Sequence, residues 1–265
     1  MAYNGSNTCR IRSKMLTDTQ ISHFYTHGFI LMKNPFGEAC MQQIDQADSS
    51  NRKKNNWSSD FNKLACQFLT VGELVLEMVE QPKLIEMAKQ LLDCDEVHIG
   101  ACGFGEALKI ISQDGRPFQQ VDWHSDGGPE VKQVSFRTAL DCHHSGNAPL
   151  RVLPGSHLRL KAEVWEELIQ LEIASGQHQD IPSISFVKHP AEVEIMLDPR
   201  WTLVWTPSCW HATGIKTTIG LRRAIGWNYF PRGGRTRDAA AVKHIFSNQW
   251  ESWSLQRQKL WGLLD

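Results

Sequence analysis

Between residues 95 and 232 the chain breaks into many short runs of β-type residues, and this pattern restricts the fold more than any other. The runs are Val97–Cys102, Ala107–Ser112, Phe118–Trp123, Val131–Leu140, Leu150–Leu153, Val193–Leu197, Thr202–Trp205 and Leu221–Phe230. Turn-forming residues separate them, and several alternate apolar with polar, as half-buried antiparallel strands do. Many short strands joined by irregular turns must bury one face each, so a sandwich or a barrel is expected.

Helical patterns surround this block. Thr17 or Asp18 can cap a first helix carrying Ile21, Phe24 and Tyr25, which Gly28 ends before a short strand at Phe29–Met32. Further helices are expected from Gly37 to Ala47, from Pro82 to Leu92, and as an insertion from Lys161 to Ala174. One amphipathic helix is expected from Asp238 to Leu264, and the polar segment 51–60, with Trp57 in it, reads as a loop. The organisation is a single domain over 1–265, with a helical part at 15–95, a β core at 95–232 and the closing helix at 238–264. No internal repeat interrupts it.

Charge and apolar content exclude several classes. With 28 basic and 29 acidic residues the formal charge is −1, which gives no general attraction to nucleic acid or to an anionic membrane. No apolar run approaches the ~18 residues needed to cross a bilayer. The opening MAYNGSNTCRIRSK lacks the apolar centre of a signal peptide. Seven scattered cysteines without a C-x-x-C pair argue against a disulfide framework or a thiolate zinc site, so a cytoplasmic location is expected.

The chemistry concentrates in four places. In Val121–Gly128, VDWHSDGG, His124 and Asp126 stand two apart, so an extended backbone aims both to one face. They can share a metal ion, or they can be a polar strand end with a capping Asp. Gly127 and Gly128 would leave backbone room beside such a metal. In Pro207-Ser-Cys-Trp-His211 a histidine follows an apolar strand. It fits the third ligand of a two-His, one-carboxylate triad, which binds Fe(II) on one face and leaves three positions open. Taken alone, it reads as a turn histidine bonded to backbone. In Gly220–Tyr229, Arg222, Ala224, Gly226 and Asn228 share one strand face, and Arg223, Ile225, Trp227 and Tyr229 the other. Arg222 beside small residues has room for a carboxylate, whereas a surface ion pair would explain Arg223. In Leu150–His157, LRVLPGSH, the histidine reads as structural.

Together these residues resemble the phytanoyl-CoA dioxygenase (PhyH) family of Fe(II)/2-oxoglutarate oxygenases. The likeness rests on His124-x-Asp126, then LRVLPGSH, then His211, then Arg222 eleven residues on. The opening LTDTQISHFYTHGFILMKN and the stretch RTALDCHHSGNAPLRVLPGSH also look like that family. The resemblance implies a mainly β fold with flanking helices, a double-stranded β-helix of the jelly-roll, cupin-like kind. It implies Fe(II) held by His124, Asp126 and His211, and 2-oxoglutarate anchored by Arg222, with O₂ as the third reactant. Secondary 2-oxoglutarate contacts would come from His144, Thr213 and Lys109. Asp122, Ser125 and Thr213 are candidates to orient the ligands.

The implied activity is oxidation of an unactivated C–H bond of a small molecule, by hydroxylation, desaturation or cyclisation, with release of succinate and CO₂. Related halogenases carry Gly or Ala in place of the carboxylate, so Asp126 points to oxygenation. Specialised metabolism is the expected setting, a homodimer is an open possibility, and neither nucleic acid nor membrane is an expected partner. A noncatalytic binding protein and a His₂Asp zinc hydrolase remain as alternatives. The chain departs from the family at Asn147-Ala148, where many members have Asn-Gly, and at Arg137, where an aromatic is common. Arg137 could face the substrate or form an outward ion pair. Trp57 in segment 51–70, and the Arg232–Arg237 stretch, could cover the barrel mouth.

Overall fold

The computed structural model describes residues 15–54, 68–106, 121–128, 130–175, 184, 187–234, 236 and 238–264. Its centre is two antiparallel sheets. The larger sheet has the order β1 (Phe29–Lys33), β6 (Trp201–Trp205), β3 (Val134–Ala139), β8 (Arg223–Pro231), β2 (Val97–Glu106). The smaller has the order β5 (Val193–Ile195), β4 (Leu150–Val152), β7 (His211–Thr213). Neighbours that are distant in sequence, with helices outside, give the jelly-roll architecture that the family resemblance implies.

Each face of the larger sheet has its own core. On the outer face Phe136, Val204, Ile225, Trp227, Tyr229, Ile99 and Phe104 join the helices in one apolar cluster. The helices are α1 (Asp18–His27), α2 (Glu38–Lys54), α3 (Glu73–Val79), α4 (Pro82–Leu92) and α6 (Ala239–Ile245). Cross-strand register stacks Phe136 on Trp227, with ring centroids 5.4 Å apart. On the inner face Ala139, Leu203 and Trp205 meet Leu150, Val152 and Ile195 of the smaller sheet. A third cluster packs α5 (Lys161–Ala174) through Val164 and Leu168 against Trp123, Leu153 and Trp210.

Several local expectations hold. Thr17 caps α1 in a reciprocal box with Gln20, and Gly28 ends that helix at φ 87°. The helices at Pro82–Leu92 and Lys161–Ala174 have the expected bounds. Others need correction. The second helix does not stop near Ala47 but runs to Lys54, so positions 51–54 are helix and not loop. Its polar run conceals an anchor: Asp45 and Asp48 reach Arg223 on β8. Helix α3 was not expected. The closing segment is not one helix but α6, a 3₁₀ turn at Trp250–Ser252 and α7 (Leu255–Leu260). Ser247 and Asn248 interrupt it, and Ser254 restarts it by accepting a hydrogen bond from the Arg257 N–H.

The run expected at 107–112, and most of that at 118–123, lie outside the described residues, as does Trp57. No helix among the described residues is long and apolar enough to cross a membrane. The five described cysteines are free thiols.

Candidate metal centre

His124, Asp126 and His211 converge although 85 residues separate the second from the third. One ligand atom from each lies within 4.8 Å of the other two. His124 Nε2 is 3.5 Å from Asp126 Oδ1, and the two imidazole rings are 4.2 Å apart.

Backbone pairing brings them together. The His124 N–H donates to the His211 carbonyl at 3.0 Å, and the His211 N–H to the His124 carbonyl at 2.9 Å. On either side, the Asp126 N–H reaches the Pro207 carbonyl and the Thr213 N–H reaches the Val121 carbonyl, each at 3.0 Å. The segment is an irregular partner of β7, which is why both carry ligands at one level. Side chains hold it from behind. The Trp123 indole donates to the Val187 carbonyl at 3.1 Å and lies under the Arg151 guanidinium. Ser125 Oγ bonds the Ser208 carbonyl at 2.9 Å, and Lys161 from α5 donates to the Ser125 carbonyl at 2.7 Å.

The same pattern orients each histidine. His124 Nδ1 is 2.7 Å from the Asp122 carbonyl, and His211 Nδ1 is 2.8 Å from the Cys209 carbonyl. A carbonyl only accepts, so both Nδ1 atoms carry a proton, and in the neutral ring the lone pair is on Nε2, which for His124 lies beside Asp126. Asp122 thus orients His124 through its main chain. Burial first, and His124 second, push the His211 pKa down to about 4. It is neutral at neutral pH, as a ligand must be. Two imidazoles and one carboxylate, open on the Asp126 side, fit Fe(II) in a facial triad.

Arg222 is buried just before β8, and its Nε–H donates to the Ala148 carbonyl at 2.8 Å. Its neighbour is His143 and not the expected His144. His144 is exposed, with Nδ1 turned to the Ser145 carbonyl. His143 is buried, with Nε2 donating to the Arg223 carbonyl at 3.0 Å. Burial, and then the charge of Arg222, lower the His143 pKa to about 2. Thr213 is buried on β7, two residues from His211 and on the same strand face. Lys109 lies outside the described residues. His157 bonds the Tyr25 carbonyl within a 3₁₀ turn, apart from the three ligands, as a structural role requires.

Two features were misjudged or missed. Gly127 and Gly128 do not clear space for a substrate. A Cβ on Gly127 would fall 2.4 Å from Val131 Cγ2, and one on Gly128 would fall 2.2 Å from Glu130 Oε2. Their smallness lets the loop fold back on itself. Arg137 stands on the inner face, paired with Leu203 on one side and Gly226 on the other. Strand alternation carries the signal: Val134, Phe136 and Thr138 point one way, Ser135, Arg137 and Ala139 the other. A cleft of about 730 Å³ opens from Asp126 between Ala101, Asn228, Gln133 and the turn at 232–234.

The phytanoyl-CoA dioxygenase (PhyH) family model matches residues 24–224. No curated protein matches in sequence. Among solved structures, EctD from S. alaskensis in its apoform is similar at 17% identity, over 84% of this chain and 80% of that one, with TM-score 0.62. HygX from Streptomyces hygroscopicus, with nickel and 2-oxoglutarate bound, is 13% identical over 83% and 89%, with TM-score 0.62. The non-heme alpha-ketoglutarate-dependent carbocyclase SnoK from nogalamycin biosynthesis is 15% identical over 82% and 85%, with TM-score 0.59. At such identities the likeness is one of fold.

Proposed function

The chain belongs to the phytanoyl-CoA dioxygenase family of Fe(II)/2-oxoglutarate-dependent oxygenases, and on that premise we propose that it oxidises an unactivated C–H bond of a small molecule. The observation that carries this reading is the convergence of His124, Asp126 and His211, with both histidines presenting Nε2. Iron and 2-oxoglutarate, when bound, supply the oxidising chemistry, with O₂ consumed and succinate and CO₂ released.

The chain's own residues bind and position. His124, Asp126 and His211 would hold the metal from one side and would leave room for cosubstrate, O₂ and substrate. The Asp122 and Cys209 carbonyls accept from Nδ1 of His124 and His211, which leaves Nε2 as the atom each ring would offer the metal. Arg222 holds the distal carboxylate of 2-oxoglutarate, its guanidinium steadied by the Ala148 carbonyl. Buried His143 stays neutral there and adds no competing charge. The cleft beside Asp126 admits the substrate. Hydroxylation, with desaturation or cyclisation as variants, is the proposed outcome, and specialised metabolism the proposed setting.

Anaerobic titration with Fe(II) and then 2-oxoglutarate tests the reading. A visible charge-transfer band that needs both is the expected result. Folded protein that binds Fe(II) yet gives no band rejects it, and leaves a His₂Asp zinc site or a binding protein.

A further inference from the structure

Arg137 is placed where a charge needs a reason. It stands on the inner face of β3, two residues from Ser135, whose cross-strand partner Asn228 lines the cleft. Its guanidinium carbon lies 5.5 Å from the centre of the Trp205 ring. Burial acts against its charge, and Asp126 is the acid whose field favours it. Its own charge is felt at His211 and at His143, which places it between the metal centre and the Arg222 region.

The buried arginines Arg151 and Arg223 are ion-paired from within the chain, and Arg222 is assigned to 2-oxoglutarate in the proposed function. Arg151 pairs with Glu192, Arg223 with Asp45, Asp48 and Asp141, and Arg222 donates to the Ala148 carbonyl. Among the described residues Arg137 makes neither an ion pair nor a hydrogen bond. Asp126 is committed to the metal in the proposed function and lies beyond ion-pair distance. Space has been left beside the guanidinium. Its cross-strand neighbour is Gly226, and a Cβ there would meet only the Phe136 carbonyl, at 3.5 Å. In the next strand Gly103 faces Gly226 and Gly105 faces Ala224, so the row beside Arg137 carries almost no side chain. A planar cation beside an indole and next to a row of glycines suits a bidentate acceptor.

We propose that Arg137 binds a carboxylate of the substrate, so that this enzyme acts on small carboxylic acids. The inference rests on the proposed function, since it assigns Arg222 to 2-oxoglutarate and leaves Arg137 to the molecule that is oxidised. A monocarboxylate matches the one guanidinium that Arg137 offers and holds the neighbouring carbons of its own chain beside the metal centre.

The test is a matched series of arylalkyl acids, benzoate to 4-phenylbutanoate, with their primary amides. Each is titrated by calorimetry into metal-free protein and into protein loaded anaerobically with Fe(II) and 2-oxoglutarate. At least one acid is expected to bind about tenfold or more tightly than its amide, the ratio one charge-assisted pair supplies. Arg137→Gln should bring that ratio to about one, and Arg137→Lys should keep part of it, as a point charge without the fork does. The 2-oxoglutarate affinity should be unchanged in Arg137→Gln. The melting temperature of the metal-free variant should hold or rise, because an unpaired cation is removed. A series in which no acid outbinds its amide overturns the proposal. So does an Arg137→Gln protein that keeps the preference, or one that loses 2-oxoglutarate instead. Absence of the Fe(II)–2-oxoglutarate band speaks against the proposed function alone, while the metal-free titration still decides the role of Arg137.

Discussion

Arg222 and Arg223 are adjacent in sequence and face opposite sides of the same sheet. Arg223 turns outward, where Asp141, Asp45 and Asp48 surround it at 2.7 to 3.1 Å and hold its pKa above the ordinary arginine range. It ties β8 to α2. Arg222 turns inward, beside His143 and against the Ala148 carbonyl. Arg137 stands on that inner side too. On the outer face Arg223 is ion-paired from within the chain, whereas on the inner face the proposed function gives Arg222 to 2-oxoglutarate. The difference separates architecture from chemistry in one strand.

The comparison breaks most completely if the metal centre is the wrong place to look. Asp126→Ala is expected to abolish iron-dependent succinate formation while the melt of the metal-free protein stays cooperative. Loss of folding instead would make Asp126 structural. Next in size is Arg223→Ala, which withdraws a guanidinium from the fully buried Asp48. It should lower stability to urea by about 3 kcal/mol, with the 2-oxoglutarate midpoint of the folded protein little changed. Arg222→Ala should do the reverse and raise the 2-oxoglutarate concentration for half-saturation by about 30-fold, the scale of a lost charged hydrogen-bond pair, with Fe(II) affinity unchanged. Exchange of those two outcomes would put the strand one residue out of phase.

A pH experiment sharpens the contrast further. His143 and His211 have folded pKa values of about 2 and about 4, below the ordinary 6.5. As pH falls below about 6.5 the unfolded chain takes up protons that these two sites refuse. Their contribution is therefore lost on acidification, down to about pH 4 for His211 and lower for His143. Between pH 7 and pH 5 each should withdraw on the order of 1–2 kcal/mol from the metal-free protein. His143 lies among the cations Arg222, Arg137 and Lys216, so its replacement is informative. His143→Gln keeps a donor for the Arg223 carbonyl and should flatten the acid limb of the urea midpoint. An unchanged limb would mean that His143 titrates normally. The smallest effect is expected at Ala148, which adopts φ 49°. Ala148→Gly should gain about 0.5 kcal/mol by removing a Cβ from the left-handed region, with the Arg222 bond to this carbonyl retained.

Much of this was legible in the residues. The short alternating runs announced a two-sheet β fold, and H-x-D, a distal histidine and an arginine eleven residues later are local patterns. Helices bounded by Pro82 or closed by Gly28 declared themselves because caps act within one turn. The extension of α2 to Lys54 was hidden, since its reason is an acid-to-arginine contact 175 residues away. The exchange of His143 for His144 was hidden as well. Neighbouring histidines differ only in which one a distant backbone buries.

The sequence by itself determined the donors: two histidines, a carboxylate and the arginines, with the strand period that gives each residue its side. Only the tertiary structure decided which side is inside. Pairing of β3 between β6 and β8 put Arg137 beside the glycine row of the inner face, and pairing of His124 with His211 made one site of two segments. Side-chain chemistry is local and can be read along the chain. Burial, register and the company of a charge arise from contacts between distant segments, which no short stretch of sequence contains.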